Sequence, residues 1–188
     1  MLDYLLSGGI YIKPSFFSMK DFTKINTDLK ELKYNQTYQP DTYYGNRLQA
    51  FPCYEANYDE LKDTIINKLE GVLRADISSL NVLARKTLMS EVKKSKSYGK
   101  YGFVHRDYAA DDPQWQEPLL AGMLYFDQSY DCGTAFFHNQ MEKEPDSYVS
   151  AFPNRLVLYH GGRFHANCFD YTMEERITLS FFFKLKEK

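Results

Sequence analysis

The hydrophobic period of this chain changes once, between Arg74 and about Asn81, and that change constrains the architecture more than any other feature. Before it, apolar residues recur every three or four positions. Phe22, Ile25, Leu29 and Leu32 predict one amphipathic helix, opened by Ser18 with Asp21 in a capping arrangement. Leu61, Ile65, Leu69 and Val72 predict a second, from near Asn57 or Asp59 to about Arg74. After the change, the chain reads as extended runs, LARKTLMSEV, KYGFVHRD, LLAGMLYFD, GTAFFHN, RLVLYHG and RITLSFFFKL, separated by Gly, Pro, Asp and Asn. Helices followed by strands predict an α+β, mainly β fold: a jelly-roll-like core with helices packed on one outer face. A short strand is expected around Gly9 to Lys13. The stretch YNQTYQPDTYYGNR, between the two helices, has the composition of a long surface loop of the kind that often binds or covers a ligand.

Sixteen Tyr and fourteen Phe in 188 residues agree with a β-rich interior built from flat rings. The length suits one domain, 1–188, with helical support over about 14–75 and the β core over about 80–188. A net charge of -2 gives no general attraction to nucleic acid or acidic membranes, so neither is expected as a partner. Locally, Arg85, Lys86, Lys93, Lys94, Lys96 and Lys100 are opposed only by Glu91, which reads either as a basic stripe or as a solvated strand face. Cys53, Cys132 and Cys168 are odd in number and lack a C-x-x-C pair, which points to a reducing compartment. The start MLDYLLSGG lacks the cationic beginning of a signal peptide, and no apolar run approaches the roughly 20 residues that span a bilayer. A soluble, cytoplasmic protein is expected.

The chemistry gathers around His105-Arg106-Asp107. In a strand, residues two apart share a side, so His105 and Asp107 can reach one ion while Arg106 points away. Two histidines and a carboxylate on one face of an octahedron form the ligand set typical of non-haem iron(II) oxygenases. The third ligand must then come from His138, His160 or His165, the other histidines of the chain. His165 is placed to face His105 from a strand edge. The last strand adds a second element. Its alternation puts Ile177, Leu179, Phe181, Phe183 and Leu185 on one face, and Arg176, Thr178, Ser180 and Phe182 on the other. A cation turned into a barrel is costly unless an anion meets it.

Together these residues resemble the iron(II)- and 2-oxoglutarate-dependent dioxygenases, in their prolyl 4-hydroxylase-like branch with a double-stranded β-helix (jelly-roll, cupin-like) core. The matching segments are Tyr98 with GKYGFVHRD, AGMLYFD, CGTAFF, NRLVLYHGGRFHA and RITLSFFF, strongly from about Leu80 onward and weakly at KPSFFSMKDFTKI. The resemblance implies that His105, Asp107 and His165 bind iron(II). It also implies that Arg176 clamps the distal carboxylate of 2-oxoglutarate, with Thr178 and Tyr125 as hydroxyl donors and Tyr98 near the other end. The interval from 165 to 176 suits the family, whereas that from 160 is too long. The reaction implied uses O2, leaves room for ascorbate, releases succinate and CO2, and hydroxylates a C–H bond of a peptidyl residue or a small molecule. Asp107 makes a halogenase-type site, which lacks the carboxylate, an unsuitable reading.

The longer segment YAADDPQWQEP, with Trp115, is either a substrate-recognition loop or a plain connection. Three rivals remain to be weighed. A jelly-roll module that binds or scaffolds without catalysis needs fewer than the four residues His105, Asp107, His165 and Arg176. A metal hydrolase has no task for Arg176. The kinase catalytic loop shares the letters H-R-D, but the leucine and later asparagine of that loop, the glycine-rich phosphate loop and D-F-G are absent. Nothing in the sequence decides between a monomer and a homo-oligomer.

Overall fold

Strict alternation in the last strand sets the two sides of the molecule. The structure is a computed structural model that describes residues 1–38, 52–94, 100–107 and 120–186. Its helices are α1 (Leu2–Leu6), α2 (Met19–Glu31), α3 (Lys62–Leu73) and α4 (Met89–Lys94). Its strands are β1 (Tyr11–Lys13), β2 (Asn35–Tyr38), β3 (Pro52–Asn57), β4 (Ile77–Leu88), β5 (Leu120–Tyr125), β6 (Ser129–Phe137), β7 (Ser147–Ala151), β8 (Leu156–His160), β9 (Phe164–Cys168) and β10 (Glu175–Leu185). They form a seven-stranded sheet in the order β1-β8-β5-β10-β4-β3-β2 and a three-stranded sheet in the order β7-β6-β9. Every pairing is antiparallel. This is the mainly β jelly roll expected from the sequence.

Ile177, Leu179, Phe181 and Phe183 turn outward from β10 and are buried in one cluster with Val82 and Ala84 of β4, Leu120 and Leu124 of β5, and Leu156 and Leu158 of β8. The helices close that cluster with Phe22, Ile25 and Leu29 of α2 and Ile65, Leu69 and Leu73 of α3. Fully burying each such side chain contributes about 1.5–3 kcal/mol, so this layer supplies much of the driving force for folding. Ser18 starts α2 as the spacing predicts: its hydroxyl accepts from the Asp21 backbone N–H at 3.1 Å and donates to Asp21 Oδ2 at 2.7 Å. Gly122 faces the same layer opposite Phe181, and a Cβ there would stand 2.1 Å from the Phe181 ring. The strand therefore needs glycine at that position.

Several local expectations change. The run LARKTLMSEV is not one strand: β4 ends at Leu88 and the chain turns into α4. Within β4, Arg85 and Lys86 point to opposite faces, and Arg85 pairs with Glu55 at 2.8 Å, so these two do not share one basic face. The loop reading of YNQTYQPDTYYGNR gives way at its start, where Asn35–Tyr38 pairs with β3. Strands β7 and β9 and the short helix α1 were not expected. Tyr98, Lys96, the 108–118 segment with Trp115, and residues 39–46 of the Tyr-rich segment lie outside the described residues.

Candidate active site

The segment 100–107 reads as a strand, but it pairs with β9 only through isolated bridges, Tyr101 with Cys168 and His105 with His165. Four steps separate Tyr101 from His105 and three separate His165 from Cys168, so one extra residue interrupts the ladder as a bulge. Beyond the bulge, His105 and His165 exchange both backbone hydrogen bonds, each at 2.9 Å. Residues paired in this way lie directly opposite with side chains on one face, and the two imidazoles approach to 4.4 Å between ring centroids. The Asp107 N–H donates to the Gly161 carbonyl at 2.9 Å, which anchors the third residue to the turn between β8 and β9.

His105, Asp107 and His165 each present a ligand atom, and these atoms lie within 4.8 Å of one another. His105 Nδ1 lies 3.0 Å from the Phe103 carbonyl and His165 Nδ1 lies 2.9 Å from the Arg163 carbonyl. A carbonyl only accepts, so each Nδ1 carries a proton, and in the neutral ring the lone pair is on Nε2. Those lone pairs face one carboxylate: His105 Nε2 is 3.7 Å from Asp107 Oδ1, and His165 Nε2 is 3.3 Å from Asp107 Oδ2. Burial, then the neighbouring His165, lowers the His105 imidazole to about 4, so that ring is neutral at neutral pH. Two imidazoles oriented by backbone carbonyls and one carboxylate suit a divalent metal of the iron(II) type.

His160 and His138 lie elsewhere. His160 is on the outer side of β8, where its Nδ1 accepts from the Gly162 N–H at 3.1 Å. His138 is exposed and sits 3.2 Å from Asp146.

The second half of the site is the inner face of the large sheet. Register places Arg176 opposite Thr87 and Thr178 opposite both Arg85 and Tyr125. Cys53, Arg85, Thr87, Met123, Asn167, Arg176, Thr178 and Ser180 line a cavity of about 350 Å3, counting the part that opens to solvent. Arg176 is 3% exposed, yet its bonds go to neutral groups, Asn167 Oδ1 at 2.9 Å and Met123 Sδ at 3.2 Å. No carboxylate pairs with it among the described residues. Its Nε and the Ser180 hydroxyl are buried in the cavity wall without a hydrogen-bond partner among the described residues. A buried guanidinium with an orphaned donor is costly until an anion arrives, so the residues present fit a carboxylate ligand. Asn167 joins the two halves, since it is two residues beyond His165 on the same side of β9 and accepts from Arg176.

Of the hydroxyl donors expected around that ligand, Thr178 lines the cavity. Tyr125 lies beneath it: its hydroxyl is 2.6 Å from Thr134 Oγ1 and its ring lies under the Arg176 guanidinium at 5.6 Å. The sequence reading missed Asn167, Met123, Ser180 as an orphaned donor, and Tyr159. Tyr159, on β8, directs its hydroxyl to Asp107 Oδ2 and His165 Nε2, each at 3.2 Å. Burial, then Asp107, raises its phenol well above the ordinary value.

No protein-family model and no curated protein matches the chain. Solved structures do. A prolyl-4-hydroxylase from Pseudomonas putida superposes with a TM-score of 0.63 at 14% identity, over 99% of this chain and 97% of that one. HygX from Streptomyces hygroscopicus, with nickel, 2-oxoglutarate and hygromycin B bound, gives 0.63 at 10% identity over 97% and 86%. A prolyl hydroxylase from Trichoplax adhaerens, in complex with a hypoxia inducible factor peptide, gives 0.62 at 14% identity over 97% and 86%. Identities this low carry the architecture and not the substrate: the chain has the jelly-roll fold of the 2-oxoglutarate- and iron(II)-dependent oxygenases, the prolyl hydroxylases among them.

Proposed function

We propose that the protein is an iron(II)- and 2-oxoglutarate-dependent oxygenase that hydroxylates a C–H bond of a peptidyl residue or a small molecule. The observation that carries this reading is the link between two otherwise unexplained features. His105, Asp107 and His165 converge, and Asn167, on the same side of β9 as His165, accepts from the buried Arg176 and lines the cavity with it.

In this reading His105, Asp107 and His165 hold the metal. Asp107 contributes the negative charge that offsets a divalent cation, and the Phe103 and Arg163 carbonyls hold Nδ1 of each ring and so aim Nε2 at the site. Iron(II) with bound 2-oxoglutarate and O2 supplies the oxidative decarboxylation that yields succinate and CO2 and delivers one oxygen atom to the substrate. Arg176 receives the distal carboxylate through a charge-assisted pair, and Ser180 and Thr178 offer hydroxyls to it. Asn167 fixes the guanidinium by accepting one of its protons. The apolar wall of Phe136, Val157 and Met123 keeps water from the interior.

A non-catalytic jelly-roll module is the weaker reading, because a scaffold gains nothing from a buried Arg176 that meets no carboxylate among the described residues. Bound molecules of both sizes occur among proteins of this fold, a peptide in one and hygromycin B in another. The test is succinate formation from 2-oxoglutarate with iron(II) and O2 across a panel of peptides, free amino acids and small molecules, followed by mass spectrometry to locate the added oxygen. Succinate above the metal-free control and a product heavier by one oxygen are expected. No succinate with any member of the panel contradicts the proposal.

A further inference from the structure

Tyr159 occupies an unusual place for a phenol. It lies on the inner face of β8 opposite Ala121, whose single methyl leaves room for the ring. The side chain is buried, stacks edge-on against Phe136 with centroids 5.2 Å apart, and lies 4.8 Å from the His165 ring. Its hydroxyl is thereby fixed at 3.2 Å from Asp107 Oδ2 and 3.2 Å from His165 Nε2. The carboxylate accepts by nature, and Nε2 accepts in the neutral ring, whose proton on Nδ1 is directed at the Arg163 carbonyl. A phenol has one proton, so it serves one of the two at a time.

We propose that Tyr159 is a positioning residue for the metal: its hydroxyl donates to Asp107 Oδ2 when His165 Nε2 is committed to the metal, and so reserves Asp107 Oδ1 as the ligand oxygen. The inference rests on the reading of His105, Asp107 and His165 as metal ligands. Its physical basis is that a ligating carboxylate free to rotate can present either or both oxygens, whereas one held by a donor presents the other. Asp107 Oδ1 lies 3.7 Å from His105 Nε2, so holding Oδ2 leaves the oxygen on the His105 side free to bind. The ring packing makes the donor rigid, and Tyr159→Phe removes the hydroxyl while keeping the ring.

Cobalt(II) is the probe, titrated into the full chain and followed by its visible d–d absorption. The parent should bind it, and Tyr159→Phe should bind it about 10–100-fold more weakly, with a shifted d–d spectrum as the carboxylate reorients. Equal affinity with an equal spectrum overturns the proposal while leaving the ligand set standing. Weaker binding with the parental spectrum also overturns it, because the loss is then a general loosening of the fold. Failure of the parent to bind cobalt(II) overturns the ligand set and this inference with it. If Tyr159→Phe does not fold, the parent decides alone: loaded with iron(III), it should show no visible phenolate-to-iron charge-transfer band. Such a band marks a tyrosinate ligand, and with the Tyr159 hydroxyl 3.2 Å from both Asp107 and His165 it contradicts the role of donor.

Discussion

On the outer face of β10, Ile177, Leu179, Phe181 and Phe183 are buried among apolar side chains from helices α1, α2 and α3 and strands β3, β4, β5 and β8. On its inner face, Arg176, Thr178 and Ser180 are buried to within a few per cent as deeply, but they are polar, and two of their atoms have no partner. One stretch of chain with one backbone geometry thus carries two kinds of burial. The outer face lowers the free energy of the fold by removing hydrocarbon from water. The inner face raises it by keeping a cation and a hydroxyl unsatisfied, a cost that stays in a protein when a ligand offsets it. Burial alone does not distinguish stabilising residues from functional ones; the partners of the buried atoms do.

Substitutions on the two faces should therefore separate stability from binding. The largest effect on stability is expected at Phe181→Ala, which empties a fully buried site beneath the helices and should cost about 3–5 kcal/mol of unfolding free energy. Denaturant unfolding checks it, and a loss below about 1 kcal/mol would mean that the outer layer is not the main core. Arg176→Met should behave in the opposite way. It should weaken 2-oxoglutarate by about 2–5 kcal/mol of binding free energy in calorimetric titration with a non-oxidising metal, while the unfolding temperature holds or rises because an unpaired buried charge is gone. Equal binding by variant and parent would refute the clamp. A smaller effect belongs to Thr178→Val, which keeps shape and removes one neutral hydroxyl. About 0.5–1.5 kcal/mol of 2-oxoglutarate affinity should be lost, with metal affinity unchanged, and no change in either would remove Thr178 from the ligand's surroundings.

The part of this comparison legible in the sequence is the part with a period. Alternation along RITLSFFFKL assigned each residue of β10 to its face, and the 3.6 period marked α2 and α3. His105 and Asp107 were legible because two ligands from one segment leave a local H-x-D trace. Strand β9 was not, since FHANC is five residues long and carries His165 and Asn167 on its inner side, so it lacks the hydrophobic signature of a strand. The bulge at 101–105 was invisible because it exists only relative to β9. Tyr159 was missed for a similar reason. Its meaning depends on a register shared with Ala121 and on a segment more than fifty positions away, and no local pattern records either.

The central claim is that the Asp107 and Arg176 ends of the interior act on one ligand. Anaerobic titration of the protein with iron(II) and then 2-oxoglutarate measures it most directly, because chelation of the metal by a 2-oxo acid gives a weak visible metal-to-ligand charge-transfer band. The band should develop to saturation in the parent, should be absent in Asp107→Ala through loss of the metal, and should require much higher 2-oxoglutarate in Arg176→Met. A parent that binds both iron(II) and 2-oxoglutarate yet shows no band at saturation would contradict the claim.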